Sequence, residues 1–336
     1  MEQWVAAVTG MLAGGDGLWL ADGPGEAPPG TAVVGTSGST GSAKRVILPR
    51  EALAAAADAA HQRLGFAPTW HLALSPRYVA GLMVLVRGVL GGGVRGADPS
   101  LADLTPAPGH NAVSLVPTQL YRALGDPERA AVLAHFDAVL VGGAALDRGL
   151  RARAEAAGVP VVSTYGMSET CGGVVWDGVP LPGVDVRLGP EGRIAIAGPT
   201  LFRGYLDRPD LTAEALVDGA VLTRDRGHTE PGGRLVVEGR LDDVVISGGV
   251  NVDLAAVRGA VAGIDPETEV LAVADDEWGV RLVLFARGGD LAGWRDRLRG
   301  ALPAAALPRQ LVCVDPLPRT AGGKPDREKL LELLRS

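Results

Sequence analysis

The sequence predicts an α/β protein with a large N-terminal domain and a small C-terminal α+β domain. Short apolar runs at 112–116, 138–141 and 159–162 alternate with helix-like stretches at 119–124 and 147–157. Strands that alternate with helices in this way are typical of a mostly parallel sheet covered by helices. A chain of 336 residues is also long enough for two domains, each with its own core.

The remaining elements of the first domain follow along the chain. Residues 51–64 are rich in alanine and predict a helix. The runs 184–188 and 193–196 alternate in polarity or size around the turn sequence Gly-Pro-Glu-Gly at 189–192. This pattern predicts a hairpin of two half-buried strands, and residues 234–238 predict one more strand.

We place the domain boundary after residue 240, which gives domains at 1–240 and 241–336. The second domain has predicted helices at 254–261 and 291–302 and predicted strands at 270–274 and 281–285. One continuous domain with a long insertion is the alternative.

The most informative segment lies between the apolar runs 32–34 and 46–48. It is built from small hydroxyl residues, glycines and a lysine, namely Thr36, Ser37, Gly38, Ser39, Thr40, Gly41 and Lys44. Glycines let a backbone approach a polyphosphate closely, and N–H and hydroxyl groups bind its oxygens. Only three of the 32 lysines and arginines are lysines, so Lys44 stands out. A flexible Ser/Gly linker, which is the alternative, would need neither that lysine nor flanking strands.

Composition excludes several classes of function. The net charge of −7 and the lack of a basic cluster argue against nucleic-acid partners. Two cysteines and five scattered histidines predict neither a disulfide framework nor a structural metal. The N-terminus lacks the basic region of a signal peptide, and no apolar run is long enough for a membrane span. We therefore expect a cytoplasmic protein.

Two segments that follow predicted strands carry side chains suited to a nucleotide. In residues 164–170, Tyr165 can stack on a base, Ser168 can donate to a phosphate, and Glu169 can hold Mg²⁺. In residues 223–227, the Asp225 carboxylate suits two adjacent hydroxyl donors. An ordinary polar turn and a solvated charge run are the respective alternatives.

Three further segments are rich in glycine. Residues 142–146 form either a ligand loop or a plain strand-to-helix turn. Residues 239–251 combine paired aspartates with a glycine turn, and a strand end before a turn is the alternative. Lys324 lies in the glycine-rich stretch 317–327, for which a basic surface tail is the alternative.

Together these segments resemble, in order, the signature motifs of the adenylate-forming superfamily, which includes acyl-CoA synthetases, adenylation domains and luciferases. They cover residues 36–327, nearly the whole chain. Six ordered matches are hard to attribute to chance. The resemblance implies the adenylate-forming fold with a shortened N-terminus and a mobile C-terminal domain. It also implies ATP, Mg²⁺ and coenzyme A as cofactors.

The resemblance further implies a role for each motif residue. The phosphate loop would hold ATP together with Gly142, Gly143, Ala144, Thr164, Tyr165, Gly166, Ser168 and Asp225. Glu169 would bind the metal, and Arg240 would contact the nucleotide. Asp242 would be the hinge between domains, and Lys324 would enter the active site for the first reaction step. The thiol channel would be formed by Ser247, Gly248 and Gly249.

Residues 78–82, 85–87 and 114–118 resemble the o-succinylbenzoate–CoA ligase family of menaquinone synthesis. This resemblance implies a small-molecule carboxylic acid as substrate, contacted by Tyr78, Gly81 and Arg87. An ion pair is the alternative role for Arg87. An enzyme that loads a carrier protein and a non-catalytic nucleotide-binding module are the competing functions. We also expect a homodimer.

Overall fold

The computed structural model describes residues 1–36, 44–320 and 324–334, apart from the side chain of Asp242. Contacts between Cα atoms divide the chain into two compact units. The first unit consists of Met1–Leu146, Leu150–Thr223 and His228–Val236. The second unit consists of Asp147–Gly149, Arg224–Gly227 and Val237–Ser336. The domain boundary after residue 240 remains a prediction.

Strands and helices alternate through most of the first unit. The α-helices are α1 (Glu2–Leu12), α2 (Arg50–Leu64), α3 (Val79–Val89), α4 (Pro117–Ala123), α5 (Pro127–Leu133), α6 (Arg148–Ala156), α7 (Pro209–Ala215), α8 (Leu254–Ile264), α9 (Leu291–Leu298) and α10 (Arg327–Glu332). The first strands are β1 (Leu18–Trp19), β2 (Thr31–Thr36), β3 (Lys44–Pro49), β4 (Thr69–Leu72), β5 (Val94–Gly96), β6 (Asn111–Leu115), β7 (Ala138–Val141), β8 (Val161–Met167), β9 (Gly172–Trp176), β10 (Val179–Pro180) and β11 (Asp185–Leu188). The others are β12 (Arg193–Ala197), β13 (Gly204–Tyr205), β14 (Leu216–Val217), β15 (Ala220–Thr229), β16 (Leu235–Arg240), β17 (Val244–Ser247), β18 (Val250–Asp253), β19 (Glu269–Asp275), β20 (Gly279–Ala286) and β21 (Gln310–Cys313).

A seven-stranded sheet in the order β10-β9-β8-β7-β6-β4-β5 forms the centre of the first unit. The strands from β5 to β8 are parallel, which confirms the predicted sheet. Ala138 and Leu140 of β7 belong to the core that contains α2 and α3. Val139 and Val141 belong to the core that contains α4, α5 and α6. Successive strand residues point to opposite faces, so helices cover both sides of this sheet.

Strand β8 extends beyond the strand expected at 159–162 and includes most of the second signature segment. It continues to Met167 because β9 turns back and pairs with it antiparallel. Gly166 makes this pairing possible, since a Cβ there would lie 2.0 Å from the Gly172 carbonyl oxygen. The motif is thus mostly strand and not the loop after a strand.

A second sheet, β1-β2-β3-β13, carries the phosphate segment. Strands β2 and β3 are antiparallel, with a ladder that ends at the pair Thr36 and Lys44. A third sheet includes the antiparallel pair β11 and β12, which confirms the predicted hairpin.

The second unit contains the three-stranded sheet β19-β20-β21 and the hairpin of β17 and β18. Leu282 and Leu284 of β20 pack with α8 and α9, whereas Val283 and Phe285 pack with α10. Helix α9 ends at Leu298 and does not reach residue 302 as expected. The chain turns there because Gly300 has a φ of +90°, outside the helical region. None of the described helices is long and apolar enough to cross a membrane.

Candidate active site

The two ends of the predicted phosphate loop are held together by a strand ladder. Thr36 is paired with Lys44, and its hydroxyl lies 3.5 Å from the Lys44 carbonyl oxygen. The intervening candidates lie outside the described residues, namely Ser37, Gly38, Ser39, Thr40 and Gly41. The sheet therefore fixes where the loop begins and ends, and the phosphate contacts remain a prediction.

Glu169 lies in a short 3-10 helix, Ser168–Thr170, directly after β8. The buried Thr170 hydroxyl accepts a hydrogen bond from the Met167 amide at 3.0 Å and lies 2.9 Å from the Gly172 carbonyl oxygen. The backbone carbonyl of Glu169 accepts from the Phe202 amide at 2.9 Å. These bonds fix the backbone that carries Glu169, while its side chain remains half-exposed.

Tyr205 joins Glu169 to the end of the phosphate loop. Its hydroxyl donates to Oε1 of Glu169 at 2.6 Å, and the Lys44 ammonium lies 4.8 Å from the centre of its ring. Two motifs 125 residues apart in sequence therefore meet through one side chain. Sequence reasoning missed Tyr205; its only signal is that it is one of four tyrosines in the chain.

The predicted adenine-side loop meets the second signature segment where β7 and β8 lie side by side. Gly142 follows β7, and a Cβ there would lie 2.4 Å from Oγ1 of Thr164. The Thr164 hydroxyl also donates to the Val141 carbonyl at 3.3 Å. Gly143 has a φ of +80°, which turns the chain outward so that Ala144 is exposed. Two of the predicted nucleotide segments therefore form one edge of the sheet.

Three neighbouring residues of the second segment are only half-buried. Tyr165 packs against the core that contains α2 and α3, and Ser168 begins the 3-10 helix. Gly166 lies at the bulge between β8 and β9. The predicted stacking of Tyr165 and the phosphate contact of Ser168 stay predictions.

Tyr78 and Gly81 form the start of helix α3. Tyr78 is the residue before the helix, and burial, followed by the charge of Asp22, raises the pKa of its phenol. Gly81 packs against the preceding chain, where a Cβ would lie 2.2 Å from the Ser75 carbonyl oxygen. Their predicted contacts with the acid remain predictions.

Arg87 is 4% exposed, near the end of α3. Its guanidinium lies 5.0 Å from the ring centre of Trp70 and 5.9 Å from that of Trp176. Burial lowers the pKa of Arg87 to about 10. Among the described residues, its Nε has no hydrogen-bond partner. The structure thus places Arg87 between two indole rings, and its contact with the acid stays a prediction.

The second unit contains the segment predicted to act as hinge and thiol channel. Arg240 ends β16 and leads into the 3-10 helix Leu241–Asp243. The Asp243 carboxylate lies 2.9 Å from Arg258, which also pairs with Glu269 at 2.8 Å. The residue after the predicted hinge is therefore anchored inside the second unit.

Ser247, Gly248 and Gly249 form the end of β17 and the turn into β18. Both glycines have positive φ angles, 58° and 78°, as a two-residue hairpin turn requires. A Cβ on Gly248 would lie 2.8 Å from the Trp278 ring, on which Arg309 stacks at 3.4 Å. The Ser247 side chain is fully buried. Close packing thus fixes this loop.

Lys324 is exposed on a short turn of the second unit. The Thr320 amide donates to the Lys324 carbonyl at 2.8 Å, and Arg319 pairs with Pro325 in a β-bridge. Arg319 also forms an ion pair with the buried Glu267 at 3.0 Å. These contacts anchor the backbone beside Lys324.

Asp225 lies half-buried in β15, in the part of that strand that belongs to the second unit. Its neighbour Arg226 pairs with Asp253, and Asp253 caps α8 by accepting from the Ala255 amide at 2.8 Å. The predicted contact of Asp225 with a ribose remains a prediction.

Comparison with known proteins identifies the class to which this fold and site belong. Residues 31–206 match the model of the AMP-binding enzyme family, and this range is more than half of the chain. The chain belongs to this family of AMP-binding, adenylate-forming enzymes, as the motifs predicted.

Individual relatives narrow the comparison. Over 322 residues the chain is 43% identical to proteins from two strains of Mycobacterium tuberculosis named probable 2-succinylbenzoate–CoA ligase, with 89% of this chain and 83% of those proteins covered. The ATP-bound structure of MatB from Rhodopseudomonas palustris has a TM-score of 0.77 at 26% identity, covering 91% of this chain and 68% of that one. A variant of E. coli MenE with bound OSB-AMS has a TM-score of 0.74 at 27% identity, covering 94% and 72%.

Proposed function

We propose that this chain is an AMP-forming acid–thiol ligase that converts 2-succinylbenzoate into its CoA thioester through an acyl-adenylate. The observation that carries the substrate is the 43% identity to the M. tuberculosis proteins over most of both chains. The meeting of Lys44, Tyr205 and Glu169 at the end of the phosphate loop supports the reaction class, because it gathers charges suited to a polyphosphate and its metal.

In the first step, a carboxylate oxygen of the acid attacks the α-phosphorus of ATP, and the bond to pyrophosphate breaks. This step needs positioning and charge neutralisation more than a general base. The phosphate loop with Lys44 holds the β- and γ-phosphates. Lys324 neutralises charge near the α-phosphate and the reacting carboxylate.

Glu169 fits the role of the protein ligand to magnesium. No group of three or more His, Cys, Asp or Glu side chains suited to a metal occurs among the described residues. A single half-exposed carboxylate beside the phosphate loop is what Mg²⁺ needs when substrate phosphates and water supply its other oxygens. When bound, the ion would neutralise charge on the phosphate oxygens.

The nucleoside is held by residues from several segments. Gly142, Gly143 and Ala144 line the adenine together with Tyr165, and Asp225 accepts hydrogen bonds from the ribose hydroxyls. Ser168 and Arg240 contact the phosphate end of the nucleotide. Thr164 and Gly166 shape this edge of the sheet through the close contacts described above.

In the second step, the small domain rotates about Asp242, Lys324 leaves the site, and the CoA thiol attacks the acyl carbonyl to release AMP. Ser247, Gly248 and Gly249 line the path of the thiol. Because Asp243 is anchored by Arg258 within the second unit, the backbone change is confined to residues before Asp243. Asp242→Pro, which fixes φ, should preserve only one of the two half-reactions.

The acid is recognised by Tyr78, Gly81 and Arg87 in this proposal. ATP and coenzyme A are metabolites of the cytoplasm, where we place the reaction. A homodimer is the oligomeric state that we propose, and light scattering during gel filtration would test it.

The decisive experiment separates the two half-reactions. Acid-dependent exchange of labelled pyrophosphate into ATP, without coenzyme A, measures adenylation with 2-succinylbenzoate and a panel of other carboxylic acids. Mass spectrometry then measures formation of the CoA thioester. Exchange without a thioester would favour loading of a carrier protein, and ATP binding without exchange for any acid would favour a non-catalytic module.

A further inference from the structure

We propose that Tyr205 is a positioning residue for adenylation, which orients the Glu169 carboxylate through its hydroxyl and seats Lys44 on its ring. The inference rests on the proposed function, because it assigns Glu169 to the metal and Lys44 to the phosphates. Its basis is the geometry around Tyr205 in the first unit.

The backbone around Tyr205 is tied to both motifs. In β13, Tyr205 pairs with Val46, two residues after Lys44. The Leu206 amide donates to the Arg45 carbonyl at 2.8 Å, and the Phe202 amide donates to the Glu169 carbonyl at 2.9 Å. The segment 202–206 is therefore a bridge between the end of the phosphate loop and the turn that carries Glu169.

The side chain makes the same connection. Tyr205 is only 7% exposed, so its hydrogen bond to Glu169 is protected from water. The oxygen–oxygen distance of 2.6 Å is typical of a hydroxyl that donates to an ionised carboxylate. Since the bond uses Oε1, the orientation of the carboxylate is fixed and Oε2 is the oxygen left for a cation.

The ring of Tyr205 also keeps two opposite charges apart. Lys44 lies over the ring face at 4.8 Å, a cation–π contact. Within the described parts of the chain, Lys44 and Glu169 form no ion pair with each other. A direct pair would neutralise both groups, whereas the ring between them leaves the ammonium for phosphate oxygens and the carboxylate for a metal.

Three variants separate these effects. Tyr205→Phe removes the hydroxyl but keeps the ring, and Tyr205→Leu removes both. Tyr121→Phe is the matched control, because Tyr121 is a half-buried tyrosine of the same unit whose ring packs against Arg153. Circular dichroism and melting temperature establish that each variant is folded.

The primary measurement is binding of Mn²⁺, a paramagnetic substitute for Mg²⁺, to the enzyme with ATP, followed by the loss of the free-ion electron paramagnetic resonance signal. We expect Tyr205→Phe to weaken Mn²⁺ binding about tenfold, as loss of a hydrogen bond to a charged group commonly does. The Mg²⁺ concentration for half-maximal pyrophosphate exchange should rise by a similar factor, with the KM for ATP at saturating Mg²⁺ nearly unchanged. Tyr205→Leu should in addition raise that KM about fivefold, through loss of the cation–π contact.

A double-mutant cycle with Glu169→Gln tests whether Tyr205 acts through Glu169. If it does, Tyr205→Phe adds little to the loss of Mn²⁺ affinity already caused by Glu169→Gln. Additive losses, or unchanged Mn²⁺ affinity in Tyr205→Phe, would overturn the inference. Absence of exchange in the wild-type protein would instead refute the proposed function, and the Mn²⁺ titrations would still decide the role of Tyr205.

Discussion

Replacing Gly142 by alanine tests the packing that joins two predicted nucleotide segments. The new methyl carbon would lie 2.4 Å from Oγ1 of Thr164 and 3.2 Å from the Thr164 carbonyl oxygen. Thr164 must then rotate and give up its 3.3 Å hydrogen bond to the Val141 carbonyl, or β7 and β8 must separate. Overpacking of this kind costs about 1–3 kcal/mol, and the lost hydrogen bond adds about 1 kcal/mol. We therefore expect Gly142→Ala to lower the free energy of unfolding by about 2–4 kcal/mol.

Urea unfolding followed by tryptophan fluorescence measures this loss. The double variant Gly142→Ala with Thr164→Ala should recover the overpacking part, because the clashing oxygen is gone. Gly10→Ala is the matched control, since Gly10 lies in α1 with no atom within 4 Å of the added carbon. It should be neutral or slightly stabilising. A wild-type midpoint for Gly142→Ala, or no recovery in the double variant, would refute the packing argument.

Three further predictions concern function and pH. Lys324→Ala should slow adenylation on the order of a hundredfold but spare thioester formation from preformed acyl-adenylate, so equal losses in both assays would contradict domain alternation. Arg87→Ala should raise the KM for the acid with little change for ATP, and unchanged acid kinetics would limit Arg87 to packing between the two indole rings. Burial lowers the pKa of His71 despite its 3.0 Å contact with Asn111, so the unfolded chain binds the proton more readily. Stability should therefore fall as pH drops below 6.5, and His71→Gln should flatten that dependence in urea midpoints measured from pH 7 to 5.

Local patterns were sufficient to predict much of the fold. The parallel strands β6 and β7 are continuous apolar runs, as strands buried on both faces must be. The extension of β8 to Met167 could not be predicted in the same way, because it depends on pairing with β9. The end of α9 did have a local signal in Gly300, which the apolar pattern through residue 302 outweighed.

The candidate site shows the same limit. Lys44 and Glu169 lie in recognisable segments, so the sequence predicted each of them. Tyr205 lies in a two-residue strand without periodicity, and only its register opposite Val46 brings it to both. Likewise, the enclosure of Arg87 by two tryptophans depends on strands that are distant in sequence.

A buried charge network explains how the predicted hinge and the predicted lysine could move together. Arg258 pairs with Asp243, next to the hinge, and with Glu269 of β19. Arg327, three residues after Lys324, begins α10 close to this network, and burial, followed by the charge of Arg258, lowers its pKa. Breaking a buried pair by removing one partner is costly, so the network behaves as one rigid part. A change of backbone angles before Asp243 would therefore carry the Lys324 turn with it, without rearrangement inside the second unit.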